Sequence, residues 1–310
     1  MLKAVTFLSL VIVMPAYAQV QSGPPLPYHV VADWAQLPAG WYFGEVAAVD
    51  VDRADNVWVY SRGPHPVIQF DSSGKFLRAW PEPPVKRSHG LRVDSDGNIW
   101  TVDVDGHRII KWTPEGRVLM VIGGPGGSAG DNNSLYAFNL PANLTFAPNG
   151  DFFVADGYGN SRVVRYSKNG EFLEKWGSKG SGDGEFDLVH DVALDAQGRV
   201  YVADRNNRRV QIFDQDGKFI GKWADLGQPE GLYYVKRENA IYMCDGGSGK
   251  DRETHRIIKV SLEGKVLGVL SSFGKVPGKL DVPHYIAVDS AGAIYVAEVR
   301  NWRVQKFVKD

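Results

Sequence analysis

From residue 51 onward, apolar and polar positions alternate in short runs, and each run ends at a turn. One stretch, LDAQGRVYVADRNNRRVQIFDQDGKFIGKW (194–223), shows the pattern in full. A short apolar strand ends in a polar Gly or Asn turn. VYVAD follows, then RVQIF, then a D-x-x-G turn and KFIGKW. Alternation with a period of two marks half-buried strands, and Asp/Asn-Gly turns between such runs are hairpin signals. No amphipathic helix with caps interrupts the series, so strands and turns are expected throughout.

The same order of parts recurs at residues 51–80, 93–123, 146–177, 194–223, 235–270 and 288–307. A spacing of roughly 40–53 residues with four strands per unit is that of propeller blades. Six units predict an all-β, six-bladed β-propeller. The last unit stops at Phe307-Val308-Lys309-Asp310, one strand short, whereas YHVVADW (Tyr28–Trp34) is a strand with no unit of its own. That N-terminal strand is expected to close the last blade and cover its open edge. The unit, with its VYVAD-x-x-N-x-R-V-Q-x-F core, resembles the NHL repeat. The resemblance implies one NHL propeller over residues 19–310.

The first 18 residues are expected to be a secretory signal peptide. They hold one lysine, an apolar run from Ala4 to Met14, and Ala16-Tyr17-Ala18 before the predicted cut. The run is too short to span a bilayer, and no later segment reaches the roughly 18–20 apolar residues required. No cysteine stands at the cut to carry a lipid. The expected product is exported, periplasmic or secreted, monomeric and without a membrane span. A formal charge of −1 offers no general basic field to nucleic acid or acidic membrane. Cys244 is the sole cysteine and forms no intramolecular disulfide, so core and ring closure must hold the fold.

Three stretches then bring in chemistry: RSHGLRVD (87–94), LVHDVALD (188–195) and VPHYIAVD (282–289). In each a histidine falls five residues before an aspartate, at the entrance to a blade's first strand. The entrance positions read Glu45, His89, Ala142, His190, Glu230 and His284. First strands line a propeller's channel, and alternate blades of six stand about 120° apart. His89, His190 and His284 should therefore converge on the axis. Three imidazoles with open positions left over are a catalytic rather than a structural zinc pattern. His65, His107 and His255 precede the RVQIF-type strand and read as framework, and His29 lies on the closing strand. No Cys pairs, HExxH or EF-hand loop offers another metal site.

The residue after each VYVAD-type strand should face the same mouth: Arg62, Val104, Gly157, Arg205, Gly246 and Val299, with Tyr158 beside Gly157. Two guanidiniums and a phenol suit an anionic or carbonyl-bearing small molecule or peptide. SRGPHPV, SHGLRVDSDGNIWTVD, VADGYGNSRVVRYSKNGEFLEKWG, FDLVHDVAL, VADRNNRRVQIF and VPHYIAV, in this order, resemble the peptidyl-α-hydroxyglycine α-amidating lyase family. The resemblance implies a zinc-dependent lyase that cleaves a carbinolamide C–N bond to an amide and glyoxylate. It assigns His89, His190 and His284 to zinc, and Tyr158, Arg62 and Arg205 to catalysis. Tyr158 would take the hydroxyl proton, helped toward phenolate by the two arginines. The family's disulfide cysteines correspond to positions such as Gly159 and Tyr201 here, its calcium-ligand aspartate to Tyr285, and its substrate-lining methionine to Val282. A structural calcium therefore loses a ligand. Two other readings stand beside the lyase. One is a non-catalytic exported propeller that binds a peptide or envelope partner. The other is a lactonase-like hydrolase holding calcium through Glu45, Asn143 and Glu230, although imidazoles are poor calcium ligands.

Overall fold

The structure, a computed structural model, describes residues 20–80, 83–246 and 255–310; the expected signal peptide lies outside them. Among the described residues, six four-stranded antiparallel sheets follow one another along the chain. Their first strands are Val46–Val51, Ser88–Val93, Asn143–Phe146, Val189–Leu194, Pro229–Val235 and Pro283–Val288. Each first strand packs beside the next, and that of blade six packs beside that of blade one. The sheets thus close into a six-bladed propeller. Among the described residues, helix is confined to two short 3₁₀ turns, 125–127 and 236–238.

Blade six is completed from the N-terminus. Tyr28–Val31 pairs with Arg303–Lys309, Tyr28 opposite Lys309 and Val31 opposite Lys306. The strand is shorter than the YHVVADW run, because the chain turns at Asp33 with φ 49°. Trp34 then enters the core, where it is 4% exposed. Its indole N–H donates to the Ser72 carbonyl at 3.0 Å, as that of Trp80 donates to Pro114 at 3.0 Å. Each ring lies against a positive-φ turn glycine of the following blade, Gly74 or Gly116; a Cβ would stand 1.7 Å from the Trp34 carbonyl oxygen at the first and 3.1 Å from the Trp80 ring at the second. The closing segment therefore copies the repeat's own junction between blades.

A second recurring device sets the mouth. The second strands of blades two to six end in Asp103, Asp156, Asp204, Asp245 and Glu298, all fully buried. Each pairs with the arginine that opens the third strand: Arg108, Arg162, Arg209, Arg256 and Arg303, at 2.6–3.1 Å. Each also accepts a backbone N–H from 17 residues upstream, in the loop that enters the first strand. A buried carboxylate persists only when paired and hydrogen-bonded in this way. The latch ties together the two loops that carry the entrance residues and the mouth-facing residues. His107 and His255 belong to the same framework: their Nδ1 atoms accept the N–H groups of Leu140 and Val282 in the next blade. His65 stacks on Trp41, and His29 pairs with Asp310.

Candidate metal centre

His89, His190 and His284 are each the second residue of a first strand, beside a bulge in the pairing with the second strand. Bulges re-aim side chains at barrel and propeller rims. Here they accompany three buried imidazoles whose ring centroids form a near-equilateral triangle of 5.1, 4.9 and 4.7 Å. One ligand atom from each lies within 4.8 Å of the others. The Nδ1 atoms face the carbonyls of Ala142, Glu230 and Ala47 at 2.8, 2.8 and 2.6 Å. A carbonyl only accepts, so Nδ1 carries the proton and the Nε2 lone pair is left free. Those three carbonyls belong to the equivalent positions of blades three, five and one. Blade one's equivalent is thus Ala47 rather than Glu45: Val46 pairs with Ser61 as Ser88 pairs with Asp103.

Tyr158 caps the triangle. Its phenol oxygen lies 2.9 Å from His190 Nε2 and 3.1 Å from His89 Nε2. One hydroxyl proton can satisfy only one of them, so the other meets the oxygen lone pair to lone pair. Burial holds all three histidines neutral. It drives His89 and His190 well below the usual imidazole pKa and His284 down to about 3. Three neutral nitrogen donors at one point, short of an electrophile, fit a metal ion, and no other His/Cys/Asp/Glu group of this kind occurs among the described residues.

Blade three's loop explains why the phenol reaches so far. The latch acid and arginine stand five positions apart in blades two, four and six (103 and 108, 204 and 209, 298 and 303). In blade three they stand six apart, at 156 and 162. The extra residue falls where Tyr158 sits. Arg205, from the matching loop of blade four, points Nη1 at the phenol oxygen at 3.5 Å. Arg62 donates from Nε to the Ser88 carbonyl at 3.0 Å and pairs with Glu45 at 2.5 Å. Its charge is felt at His89, His284 and Tyr158. The residues singled out in the sequence are thus gathered at one mouth.

Two points differ from expectation. The two arginines do not by themselves help Tyr158 toward phenolate: burial and the Glu230 carboxylate outweigh them and push the phenol up to about 12 where no dication adds its pull. Glu230 itself is the residue that sequence reasoning undervalued. Fully buried, it sets Oε1 2.9 Å from Arg205 Nε and Oε2 3.2 Å from His190 Nε2. Burial, chiefly, lifts its pKa to about 7. It occupies in blade five the position the histidines hold in two, four and six, so the ring pattern that exposes the histidines exposes Glu230 as well. Of the calcium set drawn from Glu45, Asn143 and Glu230, Glu45 is on Arg62, and the Asn143 amide donates to Asp191 at 2.8 Å.

The NHL repeat family profile matches residues 186–213. NHL repeat-containing protein 3 of Homo sapiens is 33% identical over 193 residues, covering 58% of this chain and 55% of that protein. Peptidyl-alpha-hydroxyglycine alpha-amidating lyase 1 of Drosophila melanogaster is 31% identical over 162 residues, covering 43% and 29%. The chain spans about half the length of the first of these relatives and less of the second. Among solved structures, a streptogramin B lyase superposes with a TM-score of 0.65 at 14% identity, covering 91% of this chain and 98% of that one, which bears on the fold alone. The chain is an all-β propeller containing an NHL repeat, distantly similar to amidating lyases.

Proposed function

We propose that the protein is a zinc-dependent lyase that cleaves a carbinolamide, an N-acyl-α-hydroxyglycine, to a primary amide and glyoxylate. The observation that carries the reading is the convergence of three buried imidazoles on one point, with the Tyr158 oxygen against Nε2 of two of them and Arg205 Nη1 3.5 Å from that oxygen. Similarity is shared between a relative named for its repeat and one named for lyase activity, so the site has to choose between them. Nε2 of His89, His190 and His284 would hold the metal, and a bound zinc-class ion supplies Lewis acidity toward a substrate oxygen.

The chain's own residues do the rest. Arg205 and Arg62 bind the substrate carboxylate with planar donor edges and fix the hydroxyl-bearing carbon below the phenol. In the cleavage an O–H and a C–N bond break while a C=O and an N–H bond form, with no net redox change. Tyr158 enters as a phenol. Its oxygen passes the hydroxyl proton to the departing amide nitrogen, accepting one proton as it yields the other. Glu230 holds Arg205 from behind.

A non-catalytic propeller that binds a partner on this face is the second reading, favoured by the similarity to NHL repeat-containing protein 3. One experiment separates the two. Protein purified from its native export route is analysed for metals and then assayed, zinc-replete, for glyoxylate release from N-acetyl-α-hydroxyglycine. About one zinc per chain and catalytic release support the lyase; metal-free protein with no release supports the binding module. An N-terminus at Gln19 in the same preparation tests export after signal cleavage.

A further inference from the structure

The Tyr158 phenol stands between the Nε2 atoms of His190 and His89, and its backbone is gripped from both sides. On the blade-four side Gly157 packs against Val189, the residue before His190. A Cβ on Gly157 would stand 2.0 Å from the Val189 carbonyl oxygen. On the other side runs the segment 139–142, which leads into the first strand of blade three. The Tyr158 N–H donates to the Leu140 carbonyl at 3.3 Å, and the Gly159 N–H to the Asn139 carbonyl at 3.0 Å. Two residues further on, the Ala142 carbonyl accepts from His89 Nδ1 at 2.8 Å. One short segment thus holds both the backbone of the phenol and one of the three imidazoles.

A side chain from the preceding blade ties that segment down. Leu140 lies in the left-handed region, with φ 55°. A residue with a Cβ stays there only where its surroundings hold it. The Leu140 N–H donates to His107 Nδ1 at 3.0 Å. A backbone N–H only donates, so His107 keeps its lone pair on Nδ1 and carries the ring proton on Nε2. The metal-site histidines have the opposite tautomer. His107 is itself fixed by a turn, in which its N–H donates to the Val104 carbonyl at 3.2 Å with φ 52°. Two hydrogen bonds therefore connect His107 to Tyr158, one into the Leu140 amide and one out of its carbonyl. Blade two gives His89 to the triangle from one strand and reaches the phenol from the end of the next.

We propose that His107 is a positioning residue: as the acceptor for Leu140, its imidazole sets where the Tyr158 phenol stands between His89 and His190. Its effect on turnover rests on the lyase reading above. His107→Asn and His107→Gly separate the bond from the fold. Both residues tolerate a positive φ, but only asparagine keeps an acceptor near the place of Nδ1. Amide exchange read by mass spectrometry needs no substrate. His107→Gly should speed exchange in peptides covering 139–142 and 157–159 about tenfold, the worth of one hydrogen bond, and His107→Asn should keep the parent rates. In glyoxylate release from N-acetyl-α-hydroxyglycine, His107→Gly should lower kcat about tenfold at unchanged KM and zinc content, and asparagine should restore most of it. Added to Tyr158→Phe, the glycine should cost nothing further, because the phenol through which His107 acts is gone. Parent exchange rates in His107→Gly overturn the proposal, as does a loss of kcat that persists in full beside Tyr158→Phe. Faster exchange spread over all six blades also overturns it, since His107 would then serve the fold and not the site. If even the parent releases no glyoxylate, the lyase reading fails, and faster exchange confined to the two peptides still establishes the positioning.

Discussion

The central channel holds two buried polar layers built by neighbouring positions of the same strands, and they solve opposite problems. In the inner layer Arg92 sets Nη2 3.1 Å from Asp191 Oδ2 and 3.1 Å from the Leu232 carbonyl. Asp191 also accepts from Asn143 and from the Leu232 N–H, and Asp50 accepts from the Val93 N–H. Burial still lifts Asp191 to about 6 against the pull of Arg92. The outer layer, at the mouth, consists of three neutral imidazoles and a phenol. Tyr285 separates the two: its hydroxyl donates to the His190 carbonyl at 2.9 Å, its ring stacks on His190, and Arg92 lies over that ring at 5.7 Å. The inner layer carries its own cation on the chain. The outer layer carries lone pairs, and the cations nearest it, Arg205 and Arg62, pair with Glu230 and Glu45 and not with the imidazoles, which marks it as the place for a metal.

The sharpest way to break that contrast is to remove a lone pair. His89→Ala, His190→Ala and His284→Ala should each strip most of the metal and reduce glyoxylate release to background, while circular dichroism still reports a folded all-β protein. Metal content equal to the parent in all three variants would show that the imidazoles are channel filler. Dialysis against a chelator should reproduce the loss in the parent, and zinc should restore activity.

Tyr158→Phe removes one oxygen and little volume. It should keep zinc and thermal stability and lower kcat by about 10²–10⁴-fold, with a smaller change in KM. Parent-level turnover would reduce Tyr158 to a rim residue. The matching change in the inner layer is Arg92→Met, which leaves Asp50 and Asp191 buried without their cation. Breaking a buried pair in this way costs about 3–5 kcal/mol, read as a lowered denaturant midpoint. Zinc per folded chain should not change. A variant that loses zinc but not stability would show that the two layers are not independent.

Much of this was legible in the sequence because it repeats. Six copies of a four-strand unit and a stray N-terminal strand fix the propeller and its closure, and one offset shared by His89, His190 and His284 fixes the triangle. Two things escaped. Glu45 stands two positions before Ala47, the residue that the shared offset of five reaches from Asp52 as it reaches His89 from Asp94, and Ala47 carries no polar group to announce the place. The weight of burial on the Tyr158 phenol escaped as well: the arginines are visible in sequence, whereas desolvation depends on every neighbour at once and outweighs them. The inner layer escaped for the same reason, since nothing in the spacing of Asp50, Arg92 and Asp191 announces that blades one, two and four bring them together.

Glu230→Gln is expected to have the smallest effect, and it tests the acidic group that faces His190 at the mouth. Glutamine keeps the volume and the packing but removes the charge that holds Arg205 at 2.9 Å. Three imidazoles remain, so zinc content should stay at the parent level. Arg205 should then spread over more orientations, and kcat/KM should fall about tenfold, the worth of one charge-assisted hydrogen bond. The decisive arm is a double-mutant cycle. If Glu230 acts by holding the guanidinium, the change should add nothing in an Arg205→Ala background, because there is no guanidinium left to hold. Losses that simply add would mean that Glu230 reaches the reaction by another route, through His190 or the substrate itself. No loss at all would mean that Arg205 is held well enough by its backbone, and that the sixfold pattern carries chemistry only at its three histidines.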